Sequence, residues 1–100
     1  MIFSRWKEYD PTWLVKSAEY RFSEYTWLRD ALIACNRAKI RSDYYIYFVN
    51  EKKPNKPGSE WQFQESITIE DTPEGDVVID VIQKNKVGGI EFLTRVIDGT

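Results

Sequence analysis

The sequence predicts an α+β domain in which one amphipathic helix packs on a mostly antiparallel sheet. Over residues 24–40 apolar side chains recur every three to four positions, which is typical of a helix with one face on a core. After residue 43 apolar and polar residues alternate between turn residues, which is typical of strands. The predicted order is strand, helix and four-strand meander, all within one domain over residues 1–100.

Residues 10–22 fit two structures. Asp10 followed by Pro11 favours the start of a helix, because proline suits the first helical position. Farther on, apolar residues alternate with charged ones on both sides of Ser17, which favours a strand with a bulge there. We favour the strand, which would lead into the helix at Ser23, and the alternative is one helix kinked near Ser23.

The helix over residues 24–40 has one broad apolar side and one polar side. Cys35 lies on the apolar side, where a lone thiol without a histidine base is expected to be a small buried core residue. Two isoleucines interrupt the polar side and stand beside two arginines. This exposed stripe is the predicted contact surface for a protein partner: Arg29, Ile33, Arg37 and Ile40.

The remaining strands follow from alternation and turn residues. Residues 43–50 are aromatic and β-branched, and residues 51–60 form a lysine- and proline-rich loop. Residues 61–70 alternate as a half-buried strand does, with the exception of Glu65. Residues 76–84 and 87–97 form a hairpin, in which Gly88 and Gly89 mark a bulge.

The composition excludes several kinds of chemistry. The chain has 100 residues, no histidine and one cysteine. It therefore lacks the residues for a Ser-His-Asp triad, a disulfide or a cysteine-cluster zinc site, and we expect no metal and no cofactor. A total of 14 basic and 16 acidic residues gives a net charge of −2, which argues against a protein that coats duplex DNA.

The two halves of the chain differ in charge and in aromatic content. Residues 1–56 carry 11 basic and 7 acidic residues, whereas residues 57–100 carry 3 and 9. Fourteen of the 15 aromatic residues lie at or before Phe63. A basic, aromatic segment favours a second hypothesis, a module that binds single-stranded nucleic acid. Its residues would be Tyr45, Tyr47, Lys52, Lys53 and Lys56, and Trp61 extends this platform if it faces the same side.

A third hypothesis is a small enzyme that uses carboxylate acid–base chemistry at Glu65. This carboxylate is the one charged group on the apolar side of the strand at residues 61–70, and burial would raise the pKa of such a group. We favour the structural alternative, in which this carboxylate pairs with an arginine or lies at a sheet edge.

The leading hypothesis is a non-enzymatic binding or regulatory protein that acts through protein–protein contacts. Its partner would be another protein or a second copy in a homodimer, because aromatic and arginine side chains dominate protein interfaces. The longest apolar runs are too short to cross a membrane, and residues 1–7 lack the apolar region of a signal peptide. We therefore expect a soluble, cytoplasmic protein with neither a membrane nor a small-molecule cofactor as its partner.

Overall fold

A computed structural model describes residues 6–98, and the side chains of residues 6–95. The strands are β1 (Trp6–Glu8), β2 (Arg37–Ser42), β3 (Tyr45–Tyr47), β4 (Phe63–Thr72), β5 (Gly75–Ile82) and β6 (Lys86–Phe92). The helices are α1 (Thr12–Ser17), α2 (Leu28–Ile33) and α3 (Leu93–Asp98), with 3-10 turns at Glu19–Arg21 and Gln83–Asn85. This arrangement confirms the α+β class.

The six strands form one antiparallel sheet in the order β1-β2-β3-β6-β5-β4. The predicted meander is wrong at one connection, because β3 pairs with β6 and the loop over residues 51–60 carries the chain to the far edge. Consequently β4, the longest strand with ten residues, lies at one edge and the three-residue β1 lies at the other.

One face of the sheet packs against α1 and α2 and forms the core. Its centre is aliphatic, and Ile79 and Ile90 are entirely buried there. Helix residues Leu14, Leu28 and Leu32 close this core from above. Removing this apolar surface from water is the main source of stability in a domain of this kind. Among residues 6–98 no helix is long and apolar enough to cross a membrane.

The predicted helix over residues 24–40 is wrong in extent. Only Leu28–Ile33 is α-helical, and the chain from Arg37 is strand β2, which pairs with β1 on one side and β3 on the other. The two isoleucines on the polar side of the helical wheel signalled this error. Tertiary pairing prevailed because β2 lies between two strands, where its backbone groups bond on both sides.

The strand favoured for residues 10–22 is also wrong, and the helical alternative is correct for α1. The Asp10 carboxylate accepts a hydrogen bond from the Thr12 backbone N–H at 3.0 Å and another from the Thr12 hydroxyl. These bonds fix the start of the helix. Leu14 and Ala18, four residues apart, are then both buried, as two residues on one helix face are.

The β-rich half agrees better with its pattern. Ile67 and Ile69 of β4 point into the core while Ser66 and Thr68 are exposed, and a register shift after Asp80 confirms the bulge at the glycine pair. Two lengths differ. The strand predicted at 43–50 is reduced to β3, and the second hairpin strand ends at Phe92, where α3 begins.

Candidate binding face

One row of directly paired residues crosses all six strands on the face opposite the core. From β1 to β4 these residues are Trp6, Lys39, Tyr47, Gly89, Asp80 and Ser66. Directly paired residues share a face, and their sequence neighbours Ala38, Ile46, Ile79 and Ile67 are buried in the core. We call the face that carries this row the open face.

Gly89 makes room at the centre of the open face for the ring of Tyr45. A Cβ atom on Gly89 would lie 2.6 Å from Cε1 of Tyr45 and 2.7 Å from the carbonyl oxygen of Ile46, so no other residue fits. The Tyr45 hydroxyl donates a hydrogen bond of 2.5 Å to Oδ2 of Asp80. Ser66 donates to the other oxygen, Oδ1, at 3.0 Å. Asp80 therefore fixes the orientation of Tyr45.

Three rings pack together beside this hydrogen bond and form what we call the aromatic cluster: Tyr45, Tyr47 and Trp61. The ring centroids of Tyr45 and Tyr47 are 4.6 Å apart, and Tyr47 meets Trp61 edge-on at 5.5 Å. Gly88 accommodates Trp61, because a Cβ there would lie 2.6 Å from its Cζ3 atom. Trp61 is buried and both tyrosines are half-buried. The cluster is closely packed, and its two tyrosines are still partly accessible.

The charges beside the aromatic cluster are paired with one another. Nζ of Lys39 lies 2.6 Å from Oε1 of Glu51, and a guanidinium nitrogen of Arg41 lies 3.4 Å from Oε2. Lys39 is only 8% exposed, and its ammonium also lies 5.6 Å from the Trp6 ring centroid. A buried ammonium requires such partners. Glu51 therefore neutralises both of these cations.

Both tyrosines remain protonated hydrogen-bond donors at neutral pH. Burial raises the pKa of Tyr45, and the hydrogen bond to Asp80 raises it further. Burial also raises the pKa of Tyr47, with a smaller contribution from Glu51. Neither phenol can therefore act as a general base near pH 7.

The structure brings together the residues proposed for nucleic-acid binding. Tyr45 and Tyr47 face away from the core as expected, although their rings pack on each other. Lys52, Lys53 and Lys56 are exposed in the 51–60 loop. The backbone N–H of Asn55 donates to the carbonyl oxygen of Trp61 at 2.7 Å, which holds this loop beside the aromatic cluster.

The residues proposed as a partner-binding stripe lie on two elements. Arg29 and Ile33 lie on α2, whereas Arg37 and Ile40 lie on β2. All four are exposed, with Ile33 at 45% and Ile40 at 43%. Their single helical stripe does not exist, because the helix that was to carry it ends at Ile33.

Two further candidates lie on the helix side of the sheet. Glu65 is half-buried opposite Val81, and it has no hydrogen bond or ion pair from its side chain within residues 6–98. Cys35 is 3% exposed, its thiol donates to the carbonyl of Ala31, and burial raises its pKa to about 12. A buried, protonated thiol is a core residue, as expected. No group of three or more cysteines and carboxylates in the described part of the chain could hold a metal ion.

The sequence pattern does not indicate several residues of the open face. Lys39 lies within the predicted helix over residues 24–40, and no pattern in the sequence indicates a contact of Glu51 with Lys39 or of Asp80 with Tyr45. The one available signal was the pair Gly88-Gly89, which marks the point where two rings approach the backbone. Comparison of the chain with protein-family models, with curated proteins and with solved structures finds no match in any of the three.

Proposed function

We propose that this protein is a small, non-enzymatic binding protein that contacts a protein partner through the open face. The observation that supports this proposal is a pair of half-buried tyrosine rings packed beside the buried Trp61, in positions that Asp80, Gly88 and Gly89 define. Tyrosine and tryptophan are the side chains that contribute most to protein interfaces. Rings that are already ordered lose little rotational freedom on binding, which favours affinity.

The charges on the open face favour a protein over a polyphosphate. Lys39 and Arg41 share Glu51, so a phosphate would have to break an existing ion pair to reach them. Two more carboxylates, Asp80 and Glu91, lie on the same face and would repel a phosphate. A partner with an apolar side chain for Tyr47 and a mixed polar rim meets no such repulsion.

Affinity capture with paired variants tests this proposal. The immobilised wild type, Tyr47→Asp and the control Ile33→Asp are each exposed to lysate of the source cells, and the bound proteins are quantified. We expect one protein to be retained by the wild type and the control but reduced about tenfold or more by Tyr47→Asp, since a charge would be buried among rings. If Tyr47→Asp retains the captured protein as well as the wild type does, or if only Ile33→Asp loses it, the open face is not the binding site.

Binding of single-stranded nucleic acid is the second candidate. Lys52, Lys53 and Lys56 form no ion pairs with other residues in the described range, and their loop is bonded to Trp61 through the backbone of Asn55. Tryptophan fluorescence is titrated with a short oligonucleotide at low and high salt. Three phosphate contacts would give a slope of about −2 in log K against log salt. Salt-dependent binding that is lost in Lys53→Ala would replace the protein-partner proposal. If the oligonucleotide does not bind, nucleic-acid binding is removed as a candidate.

A further inference from the structure

Strand β4 is the edge of the sheet that is least protected. It has ten residues, no proline and one neighbouring strand, β5. Its pairing with β5 is regular from Glu65 to Ile69, between two register shifts. Natural edge strands avoid pairing with other chains by means of charge, proline, bulges or a covering element.

The contacts of β4 show which of its backbone groups point away from β5. The carbonyl of Thr68 accepts a hydrogen bond from Arg21 at 2.7 Å, and the N–H of Glu70 donates to the Tyr20 hydroxyl at 3.1 Å. Backbone groups of alternate residues point the same way, so those of Ser66 also point outward. No residue between 6 and 98 bonds to the N–H or the carbonyl of Ser66 on that side. The helical layer covers the edge only from Thr68 onward.

We propose that β4 pairs in antiparallel fashion with β4 of a second copy of this chain, with the two-fold axis at Ser66. Each Ser66 then donates its N–H to the carbonyl of the partner's Ser66, which closes a hydrogen-bonded pair. Glu65 lies opposite the partner's Ile67, so no like charges are directly opposed. The pairing places no proline and no charged pair at its centre.

Charge complementarity selects a second copy over an arbitrary extended peptide. Glu65 lacks an ion-pair partner within its own described chain. In this register Glu65 lies one residue from the partner's Thr68, whose carbonyl holds the partner's Arg21. Within one chain, Arg21 binds Glu24 through Nε and Thr68 through one terminal nitrogen, which leaves the second terminal nitrogen for Glu65. The pairing forms this contact twice.

This dimer goes beyond the proposed function because it uses the sheet edge and leaves the open face uncovered. Directly paired residues share a face, so the two open faces would lie on the same side of one continuous twelve-stranded sheet. Each dimer would therefore present two binding faces to one partner, which raises the overall affinity when both can engage.

Two cysteine variants test the register. In the proposed dimer, the Cα atoms of the two residues at position 66 lie about 5.5 Å apart, within the range that a disulfide spans. The residues at position 68 lie more than about 13 Å apart. On mild oxidation Ser66→Cys should therefore form a covalent dimer, whereas Thr68→Cys should not. The native Cys35 is buried and does not interfere. Equal cross-linking of the two variants, or none in Ser66→Cys, overturns the proposal.

Sedimentation of the unmodified protein tests the association itself. We expect a concentration-dependent dimer, and Ser66→Pro should raise its dissociation constant about tenfold or more, because it removes the outward N–H and leaves the backbone bonds to β5 intact. Ser66→Ala is the matched control, because it keeps the N–H and loses the same hydroxyl bond to Asp80. A wild type that sediments as a monomer at about 200 µM contradicts the dimer. Tyr47→Asp leaves the β4 edge unchanged, so it should still dimerise. The capture experiment therefore tests the open-face proposal independently of the dimer.

Discussion

The two faces of the sheet are held together by opposite chemistry. The helix-covered face is aliphatic, with Ile79 and Ile90 fully buried and no polar side chain at its centre. The open face has rings, an ion pair and a carboxylate, and its order depends on specific hydrogen bonds to Asp80 and Glu51. The first face is stable because it excludes water. On the second face, hydrogen bonds position the side chains while the face remains accessible to solvent.

This difference separates stability from function. Apolar burial contributes about 25 cal/mol per Å², whereas a hydrogen bond contributes about 1 kcal/mol net. Every buried side-chain nitrogen and oxygen in the described range has a hydrogen-bond partner, which offsets the cost of desolvating the polar groups of the open face. Changes on the helix side should therefore affect unfolding strongly, and changes on the open face should affect it less.

The largest effect is expected for Ile79→Ala. This side chain is 0% exposed at the centre of the core, and its truncation leaves a cavity that costs about 2–5 kcal/mol in free energy of unfolding. Urea denaturation measures the change. Thr68→Ala, an exposed position on β4, is the control and should stay within about 0.5 kcal/mol of the wild type. A cost for Ile79→Ala below that of open-face variants would reverse the comparison of the two faces.

A smaller loss is expected for Tyr45→Phe. The variant keeps the ring on Gly89 but removes the donor to Asp80, which should cost about 1–3 kcal/mol, as for a hydrogen bond to a charged group. Tyr44→Phe is the control, because Tyr44 is 43% exposed and its hydroxyl forms no such bond. Equal losses for both variants would show that the Asp80 hydrogen bond does not stabilise the fold.

Tyr45 should also make the stability of the fold depend on pH in the alkaline range. The pKa of Tyr45 is raised in the folded state, so above about pH 10 the unfolded phenol loses its proton while the folded one keeps it. Ionisation then favours unfolding, and the stability of the wild type should fall as the pH rises through this range. Between about pH 8 and 11, the free energy of unfolding of Tyr45→Phe, measured by urea denaturation, should fall less steeply than that of Tyr44→Phe. If the stabilities of the two variants depend on pH in the same way, Tyr45 is not the source of the alkaline loss of stability.

Sequence reasoning succeeded where the pattern is local and failed where pairing is remote. The alternation around Ile67 and the turn residues near Gly88 identify β4, β5 and β6, because each strand meets its sequence neighbour. Residues 37–40 lie within the predicted helix, yet Arg37–Ser42 forms β2, whose partners β1 and β3 are not encoded in that segment. The ion pair of Lys39 with Glu51 on the open face was missed for this reason, since Lys39 reaches that face only through β2.

The smallest stability effect is expected for Ile33→Asp, which also tests whether this residue of the predicted contact stripe is exposed. Ile33 is 45% exposed at the end of α2, so a charge there remains solvated and should change the free energy of unfolding by less than about 0.5 kcal/mol. The buried Leu32→Asp is the contrasting neighbour and should unfold the domain, because an unpaired charge would enter the core. Thermal unfolding followed by circular dichroism measures both. If Ile33→Asp is as damaging as Leu32→Asp, α2 does not present Ile33 to solvent, and the helix side is more completely covered than the exposed fraction indicates.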